Sequence, residues 1–278
     1  MPLIFRVLDI ETIPDVSTWG KHDQITWRLA PGPRSLPDGE TLAAVEPTPS
    51  FPPPQAHRVV AISHVDILFD PERSPKYALH DFGSSCRWAR EPSSMDHDES
   101  CLLSEFGRRM SPSEGSVVHL VSWNGRTFDL PVILLRSFKH KIACKWYYDA
   151  KDVRYRYSAE GHLDLMDYLA DFGAVRNMSL ADACHLAGLP GKLDMTGASV
   201  ENVYRQSLVA DDASMEKAQA DVARYCLQDS IQTALLFVRS RYHIGKVCAT
   251  THNAILDTFS SSPAIVSAIS LDWDRLRV

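Results

Sequence analysis

The chain has 278 residues, 45% apolar and 23% charged, which is the composition of an ordinary globular protein and excludes a wholly disordered chain. Its net charge of −6 argues against a protein that coats duplex nucleic acid by bulk electrostatic attraction, although a local basic groove is compatible with it. No apolar stretch approaches the ~20 residues of a membrane-spanning helix, so we expect a single cytoplasmic domain over residues 1–278 with no membrane partner.

The first predicted element is a buried strand over residues 3–10, which are almost continuously apolar and β-prone. The apolar pattern stops at Asp9 and Glu11, so we expect these two acids at the end of the strand. Because side chains alternate across a strand, both carboxylates point to the same face and can offer oxygens to one metal ion.

A proline-rich insertion is predicted next, over about residues 31–57, where Pro, Gly and Ser favour a long loop. Two strands joined by a tight turn follow, from Arg58 to Phe69 and from Tyr77 to Phe82. Polar residues 83–98 then lead into an amphipathic helix that we predict over about 99–110.

A third acid lies between the next strand and the next helix. The pattern predicts a strand over 117–123, a turn at Asn124-Gly125 and a helix over about 127–139. Asp129 is thereby placed at a strand-to-helix junction on the carboxyl edge of a sheet, where α/β proteins commonly carry active sites.

The C-terminal part is predicted to be mainly helical, with a helical tail over about 242–278. The helices are expected over about 179–188, 199–209 and 214–241. Tyr225 and Asp229 are four residues apart on the last of these, so their side chains project from one face toward a common point.

Three acidic segments together resemble the exonuclease motifs of the DEDD, or DnaQ-like, superfamily. The matching stretches are Asp9-Ile10-Glu11, Asn124 to Asp129 in the form Asn-x-x-x-Phe-Asp, and Tyr225 to Asp229 in the form Tyr-x-x-x-Asp. Each motif alone is a weak or moderate signal, but all three in this order rarely occur together by chance. Arg224 stands where the sister subclass has a His, so the tyrosine version of the third motif applies.

Within that superfamily, the chain most resembles stand-alone exonucleases related to the proofreading domain of family-B DNA polymerases. Further similar stretches are residues 51–54, 57–63, 162–167 and 190–192. The resemblance implies an α/β, ribonuclease H-like fold with a mixed five-stranded sheet flanked by helices. It also implies hydrolysis of the 3′-terminal phosphodiester of single-stranded DNA or RNA, which releases nucleoside 5′-monophosphates.

The same resemblance implies a role for each acid at two Mg²⁺ or Mn²⁺ ions. Asp9, Glu11 and Asp229 would hold the first ion, Asp9 would also touch the second, and Asp129 would act on the second directly or through water. Tyr225 would orient or deprotonate the attacking water. A phenol with a pKa of about 10 is a poor base at neutral pH, so we expect Tyr225 to act chiefly by orienting that water while the metal makes it acidic.

Contacts to the substrate strand are implied for four residues beside these motifs. The resemblance places Asn124 and Phe128 near the terminal nucleotides, and Thr12 and Ile13 near the 3′-terminal nucleoside. The competing structural interpretation is a turn asparagine, a core phenylalanine, a capping threonine and a buried isoleucine.

Further substrate contacts are suggested by composition. Residues 151–157 interleave Arg154 and Arg156 with tyrosines, a combination that suits phosphate contact and base stacking. An exposed strand with alternating faces would show the same residue pattern. Lys192 could meet a phosphate or could be an ordinary solvated lysine after a helix. Asp164 could be an additional ligand, but a helix cap or a partner of His162 explains it as well.

Two other functions compete with the exonuclease. Residues 9–13 approach the Asp-x-Asp-x-Thr motif of haloacid-dehalogenase-like phosphatases, but Glu11 replaces the second Asp, and the Asp211-Asp212 pair follows a helical pattern where a buried strand is needed. A catalytically silent nucleic-acid-binding module is the other alternative, and the intact acids at all four motif positions argue against it. The cysteines and histidines show no zinc-site spacing, so we expect reduced thiols.

Overall fold

In the computed structural model of the chain, a five-stranded sheet forms the core. The strands are β1 (Leu3–Pro14), β2 (His57–Phe69), β3 (Tyr77–Cys86), β4 (Val117–Ser122) and β5 (His162–Asp164). The structure describes residues 2–18, 34–35, 41–42, 52–111, 117–158, 160–191, 195 and 197–278. Most of the predicted insertion over 31–57 therefore lies outside the described residues, apart from a short antiparallel pair, Arg34–Ser35 with Thr41–Leu42, and the end of the segment from residue 52.

The strand order in the sheet is β3-β2-β1-β4-β5. β1 runs antiparallel to β2 and parallel to β4, and β4 runs parallel to β5. This mixed five-stranded sheet, flanked by helices, confirms the predicted ribonuclease H-like α/β fold.

Eleven α-helices are described around the sheet. They are α1 (Pro92–Met110), α2 (Asp129–Lys139), α3 (Lys145–Tyr148), α4 (Lys151–Arg154), α5 (Leu165–Leu169), α6 (Leu180–Leu186), α7 (Gly197–Leu208), α8 (Asp212–His243), α9 (Ala249–Ser260), α10 (Pro263–Ala268) and α11 (Trp273–Leu276). Three short 3₁₀ helices add Val16–Thr18, Pro54–Ala56 and Asp171–Gly173. Within the described part of the chain, no helix has both the length and the apolarity to cross a bilayer.

The two faces of the sheet carry separate apolar clusters, and β1 contributes alternate residues to each. Phe5 and Val7 pack on the face that α8 covers, where Phe237 and Ile231 are buried. Leu8 and Ile10 pack on the opposite face, in the cluster to which α1 and α2 contribute. Because Asp9 and Glu11 share the alternation of Phe5 and Val7, they point to the side of the sheet that α8 covers.

β1 does not end at Glu11 as the sequence analysis predicted, but continues to Pro14. The antiparallel ladder with β2 extends along its whole length, with a register shift between Glu11 and Thr12. The parallel partner β4, in contrast, pairs only with Leu3 to Val7. The two acids therefore lie beyond the point where the parallel ladder stops, and their side chains lie at the carboxyl-terminal edge of the parallel strands.

The helix predicted over 99–110 begins much earlier, at Pro92, and residues 83–86 belong to β3. Glu99, which the sequence pattern would place in solvent, is 1% exposed and accepts a hydrogen bond from the Val59 N–H at 2.9 Å. Residues 92–98 are polar apart from Pro92 and Met95, so they show no apolar stripe by which the sequence pattern could identify them as helix. Residues 83–86 are held as strand by their pairing with residues 61–64 of β2.

Candidate active site

Four predicted acids come together where β1, the start of α2 and the middle of α8 meet. The other three acids act on Asp9: burial, followed by the negative charges of Asp129, Glu11 and Asp229, raises the pKa of its carboxyl well above the ordinary range. Carboxylates from three separate chain segments thus share one electrostatic environment. Sequence reasoning placed each of them at a sheet edge or on a helix face, and the fold joins them.

Asp129 is the first residue of α2 and is 4% exposed. Burial raises the pKa of its carboxyl to about 7, and the charge of Asp164 adds to this effect. Hydrogen bonds from the N–H of Ile10 and from its own N–H act in the opposite direction. The bond from Ile10 ties Asp129 directly to the segment of β1 between Asp9 and Glu11.

The turn before α2 leaves no room for a side chain at Gly125. A Cβ built there would lie 2.5 Å from Ser122 Oγ and 3.5 Å from Oδ2 of Asp129. Asp164 holds this turn by accepting hydrogen bonds from the N–H groups of Asn124 and Arg126, both at 2.9 Å. The backbone that delivers Asp129 is therefore fixed by close packing and by a buried carboxylate.

Asp164 also caps α5, where it accepts from the N–H groups of Met166 and Asp167. Asp164 is therefore a helix cap, as one of the two structural interpretations predicted, and not a partner of His162. The ring of His162 lies 2.8 Å from Ser122 Oγ instead. Asp164 acts on the site through the turn that it holds.

Tyr225 and Asp229 lie one turn apart on α8, and their side chains are hydrogen bonded. Burial, followed by the charges of Asp229, Glu11 and Asp9, raises the pKa of the Tyr225 phenol above its ordinary value. The phenol is therefore neutral throughout the physiological range and donates its proton to Asp229.

A polar bridge that sequence reasoning missed joins α8 to the central strands. We call Ser63, Cys226 and Ser230 the serine–cysteine bridge, and all three are fully buried. Ser63 Oγ donates to the backbone oxygen of Cys226 at 2.8 Å, so the hydroxyl of Ser230, 2.7 Å away, donates to Ser63. The thiol of Cys226 lies 3.6 Å from Oδ2 of Asp9.

This bridge fixes the position of α8 relative to β2 beside the acids. Ser63 is the register partner of Asp9 across the β1–β2 ladder, and Cys226 directly follows Tyr225 on α8. Cys226 and Ser230 are visible in the sequence as neighbours of the third motif. Ser63 is not, because a strand register cannot be read from one sequence.

Thr12 and Phe128, two of the proposed substrate residues, meet at His57. Thr12 Oγ1 lies 2.8 Å from Nδ1 of His57, and the His57 and Phe128 rings are 4.9 Å apart, edge to face. His57 Nε2 lies 2.9 Å from the Pro52 oxygen, which can only accept, so Nε2 carries the proton. Burial lowers the pKa of His57, so the ring is neutral and Nδ1 accepts from Thr12.

Ile13 and Asn124 show the features of the structural interpretation. Ile13 is 2% exposed and packs with Tyr225 and Cys226, so it forms part of the wall behind the site. Asn124 has a left-handed backbone with φ of 63°, as a turn asparagine does, and its Oδ1 accepts from the Thr127 hydroxyl.

The two arginines at 154 and 156 lie on α4 and in the turn after it rather than on an exposed strand. Arg156 forms a two-point ion pair with Asp167, with Nε 2.7 Å from Oδ2. Arg154 lies over the ring of Tyr148, 5.5 Å from its centre. Lys192 falls outside the described residues.

Two other clusters bring acids and histidines together within the described residues, and each contains its own counter-charges: Asp96, Glu99 and His140 form the first, and His64, Asp66 and Asp81 form the second. Glu99 binds Arg136, which is 1% exposed and also binds Asp15 at 2.7 Å. Asp66 forms a buried pair with Arg6 at 2.6 Å. These groups are therefore structural, and the first of them joins the end of β1 to α1 and α2, the elements around the site.

Asp211 and Asp212, the pair that a phosphatase would need, do not reach the acids. Asp211 caps α8 by accepting from the Ser214 N–H at 2.8 Å, and both residues are exposed at the start of that helix. All six cysteines are free thiols, as the sequence predicted.

The profile of one protein family matches residues 49–262, which is more than half of the chain. Its description is "Predicted 3'-5' exonuclease related to the exonuclease domain of PolB". The match begins after β1, so Asp9 and Glu11 lie outside the matched residues and are joined to the other motif residues by the fold. No curated protein matches the sequence.

Solved structures similar to the chain include two kinds of enzyme. One is the family B DNA polymerase from the hyperthermophilic archaeon Pyrobaculum calidifontis, with a TM-score of 0.46 and 12% identity over 96% of this chain and 27% of that chain. E. coli Exonuclease I in complex with a dT13 oligonucleotide gives a TM-score of 0.38 and 10% identity over 90% of this chain and 44% of that chain. Exonuclease I in its apo form gives a TM-score of 0.34 and 9% identity over 96% and 47%. This chain spans less than half the length of each of them.

Proposed function

The chain belongs to the family of predicted 3′–5′ exonucleases related to the exonuclease domain of PolB, and we propose that it hydrolyses the 3′-terminal phosphodiester of single-stranded nucleic acid. DNA is the favoured substrate and RNA the second, and the products are nucleoside 5′-monophosphates. The observation that carries this proposal is the convergence of Asp9, Asp129 and Asp229, with Glu11, from three chain segments on one partly buried site.

The donor set fits divalent cations such as Mg²⁺ or Mn²⁺. Burial raises the pKa of Asp9 and of Asp129, and the charges of the other three acids raise the pKa of Asp9 further, so a positive charge between these carboxylates would be stabilised. We assign Asp9, Glu11 and Asp229 to a first ion, and Asp9 and Asp129 to a second. Two such ions, when bound, would supply the acidity of the attacking water and the stabilisation of the departing 3′ oxygen.

The protein's own part in the reaction is to position the reactants. Tyr225 is neutral, so it serves as a hydrogen-bonding group for the attacking water and not as a proton acceptor. Its donation to Asp229 fixes the ring, which leaves the phenol oxygen's lone pairs to face the water. The hydrogen bond from Ile10 to Asp129 keeps the acid of α2 at a fixed place relative to β1.

Three residues beside the acids are proposed to hold the end of the strand. The Phe128 ring, propped by His57, offers an aromatic surface to the terminal base, and the Thr12 hydroxyl beside it offers a polar contact to the terminal sugar. Since Oδ1 of Asn124 accepts from Thr127, its amide nitrogen is the atom proposed to meet the strand. Ile13 contributes packing behind Tyr225, and Lys192 stays a proposed phosphate contact.

The test is a degradation assay on labelled single-stranded oligonucleotides of DNA and of RNA, each with a free and with a blocked 3′ end. With Mg²⁺ or Mn²⁺ we expect a ladder that shortens from the free 3′ end, and no ladder with EDTA or with Asp9→Asn. Asp274→Asn, a change at an acid that is 93% exposed, is the matched control and should keep the ladder.

Other outcomes would identify the competing functions. Binding of the oligonucleotide without any shortening, in the presence of either metal, would support the silent binding module. Release of inorganic phosphate from a phosphomonoester with an acid-stable label on Asp9 would support the phosphatase. Shortening that starts from the 5′ end would contradict the proposal directly.

A further inference from the structure

Three tyrosines with large exposed surfaces lie close together near α3 and α4. Tyr148, Tyr155 and Tyr157 are 58%, 60% and 58% exposed. We call these three, with Arg154 and Arg156, the aromatic platform. Aromatic side chains usually bury most of their surface, and a cluster of exposed ones is typical of a binding surface.

Guanidinium groups and rings alternate over the platform. Arg154 lies over the Tyr148 ring at 5.5 Å, and Arg156 lies over the Tyr157 ring at 6.0 Å. The Tyr155 and Tyr157 rings are 5.8 Å apart and nearly perpendicular, at 70°. Such cation–π and edge-to-face contacts hold the rings in place while much of their surface faces solvent.

The loop below the platform is held by several side-chain contacts. Phe172 packs against Tyr157 with ring centres 5.0 Å apart, and Arg156 ties Asp167 to the Phe172 oxygen. Asp171 and Phe172 both have left-handed backbones, with φ of 48° and 53°, a conformation that non-glycine residues adopt only when their surroundings enforce it. A surface that is already ordered loses little entropy when a ligand binds.

The platform is continuous with the turn that leads to the acids. The Arg126 side chain donates to the Arg154 oxygen at 3.4 Å and to the His162 oxygen at 3.1 Å. Its backbone N–H is held by Asp164, in the same turn as Asn124. Arg126 therefore joins the turn beside Asn124 to the platform, which is the surface that a strand ending beside Asn124 would meet on this side of the site.

We propose that the aromatic platform binds the single-stranded part of the substrate upstream of the scissile bond by stacking bases on Tyr148, Tyr155 and Tyr157. This inference rests on the proposed exonuclease function and adds a binding site to it. Stacking contributes more than phosphate attraction, because Asp167 neutralises Arg156 and leaves Arg154 as the net positive charge of the platform. Stacking tolerates any base sequence, as a processive or distributive exonuclease requires.

The test measures binding separately from cleavage. In an Asp9→Asn background, the affinity for oligo-dT of about 4 and about 16 nucleotides is measured by fluorescence anisotropy at two salt concentrations. Tyr155→Ala combined with Tyr157→Ala should weaken binding of the longer strand about tenfold or more, with little change in its salt dependence. Tyr155→Phe with Tyr157→Phe should restore it, since phenylalanine retains the ring.

The matched control is Tyr242→Ala, which removes a tyrosine that is 38% exposed at the end of α8. It should bind both strands as the parent does, and the alanine pair should bind the short strand as the parent does. Unchanged affinity for the longer strand would overturn the platform and favour a protein partner for this surface. Equal weakening for both lengths would also overturn it, because the defect would then lie at the acidic site or in folding.

Failure of the platform and failure of the proposed function are distinguishable. If the wild-type protein shortens oligonucleotides and the alanine pair binds the longer strand normally, only the platform is wrong. If the wild-type protein shortens no substrate while the alanine pair loses binding, the platform is confirmed as a binding surface and the proposed nuclease function is wrong.

Discussion

Replacing Asp129 by Asn should stabilise the metal-free protein at alkaline pH while abolishing its nuclease activity. Asp129 is buried, and its carboxyl has a pKa raised to about 7. In the absence of a metal ion, the fold must hold a charge in a place that disfavours it. An amide has nearly the same shape, and its oxygen can still accept the hydrogen bond from Ile10, but it carries no charge.

The change in the free energy of unfolding depends on the difference between the pKa values of Asp129 in the folded and the unfolded chain. A carboxyl with a pKa of 3.8 when unfolded and about 7 when folded binds more protons in the folded state between these values. Its contribution to stability is therefore fully present below about pH 4 and lost as the pH rises through about 7. The full pKa difference corresponds to about 4 kcal/mol of unfolding free energy. Because the carboxyls of Asp129 and Asp9 influence each other's titration, we expect roughly half of this as the gain in stability for Asp129→Asn at pH 8.

The assay is urea unfolding in EDTA at pH 5 and at pH 8, for the wild type, Asp129→Asn and the surface control Asp274→Asn. The Asn variant should gain about 2 kcal/mol over the wild type at pH 8 and much less at pH 5, whereas the control should stay within about 0.5 kcal/mol. Adding Mn²⁺ at pH 8 should stabilise the wild type more than the variant, because ligand binding to the folded state alone raises its stability. A variant that is less stable than the wild type at both pH values would refute the electrostatic argument.

Three more substitutions test how the site is built. Tyr225→Phe should slow hydrolysis severely while metal and strand binding persist, and near-normal turnover in a single-turnover assay would contradict the proposed role. Gly125→Ala should reduce both stability, by about 1–3 kcal/mol, and activity, because its Cβ would lie 2.5 Å from Ser122 Oγ; a normal thermal midpoint would show that the turn relaxes. Ser63→Ala should lower kcat about tenfold or more with a stability loss of only about 1–2 kcal/mol, whereas Ser240→Ala, a buried serine whose hydroxyl donates within its own helix, should leave kcat unchanged.

The parts of the site that follow from local periodicity were predictable. Asp9 and Glu11 share a face because strands alternate, and Tyr225 and Asp229 share one because helices repeat every three to four residues. Asp129 could be placed at the start of a helix from the turn signal before it. These local rules, with the family resemblance that the profile match confirms, gave the sheet, the class of enzyme and the order of the motifs.

The supporting structure could not be predicted, because it depends on pairings between distant residues. Glu99 resembles a solvent-facing acid in the sequence, yet it is buried against Arg136 of α2. Ser63 acquires its role only through the register that sets it opposite Asp9. Arg156, which composition offered as a phosphate contact, is occupied by Asp167.

The arrangement of supports around the acids indicates that the site is formed before any ion binds. Mutual repulsion among the four carboxylates would push β1, α2 and α8 apart, so each of these elements needs an anchor that the acids do not supply. The apolar clusters on both faces hold β1, the buried Arg136 pairs hold α2 against the end of β1, and the serine–cysteine bridge holds α8. Because these anchors contain none of the four acids, neutralising an acid should change the stability and the chemistry of the site but not its geometry. Crystals of Asp129→Asn grown without metal should therefore show Asp9, Tyr225 and Asp229 in place, and a displaced α8 would show instead that an ion completes the fold.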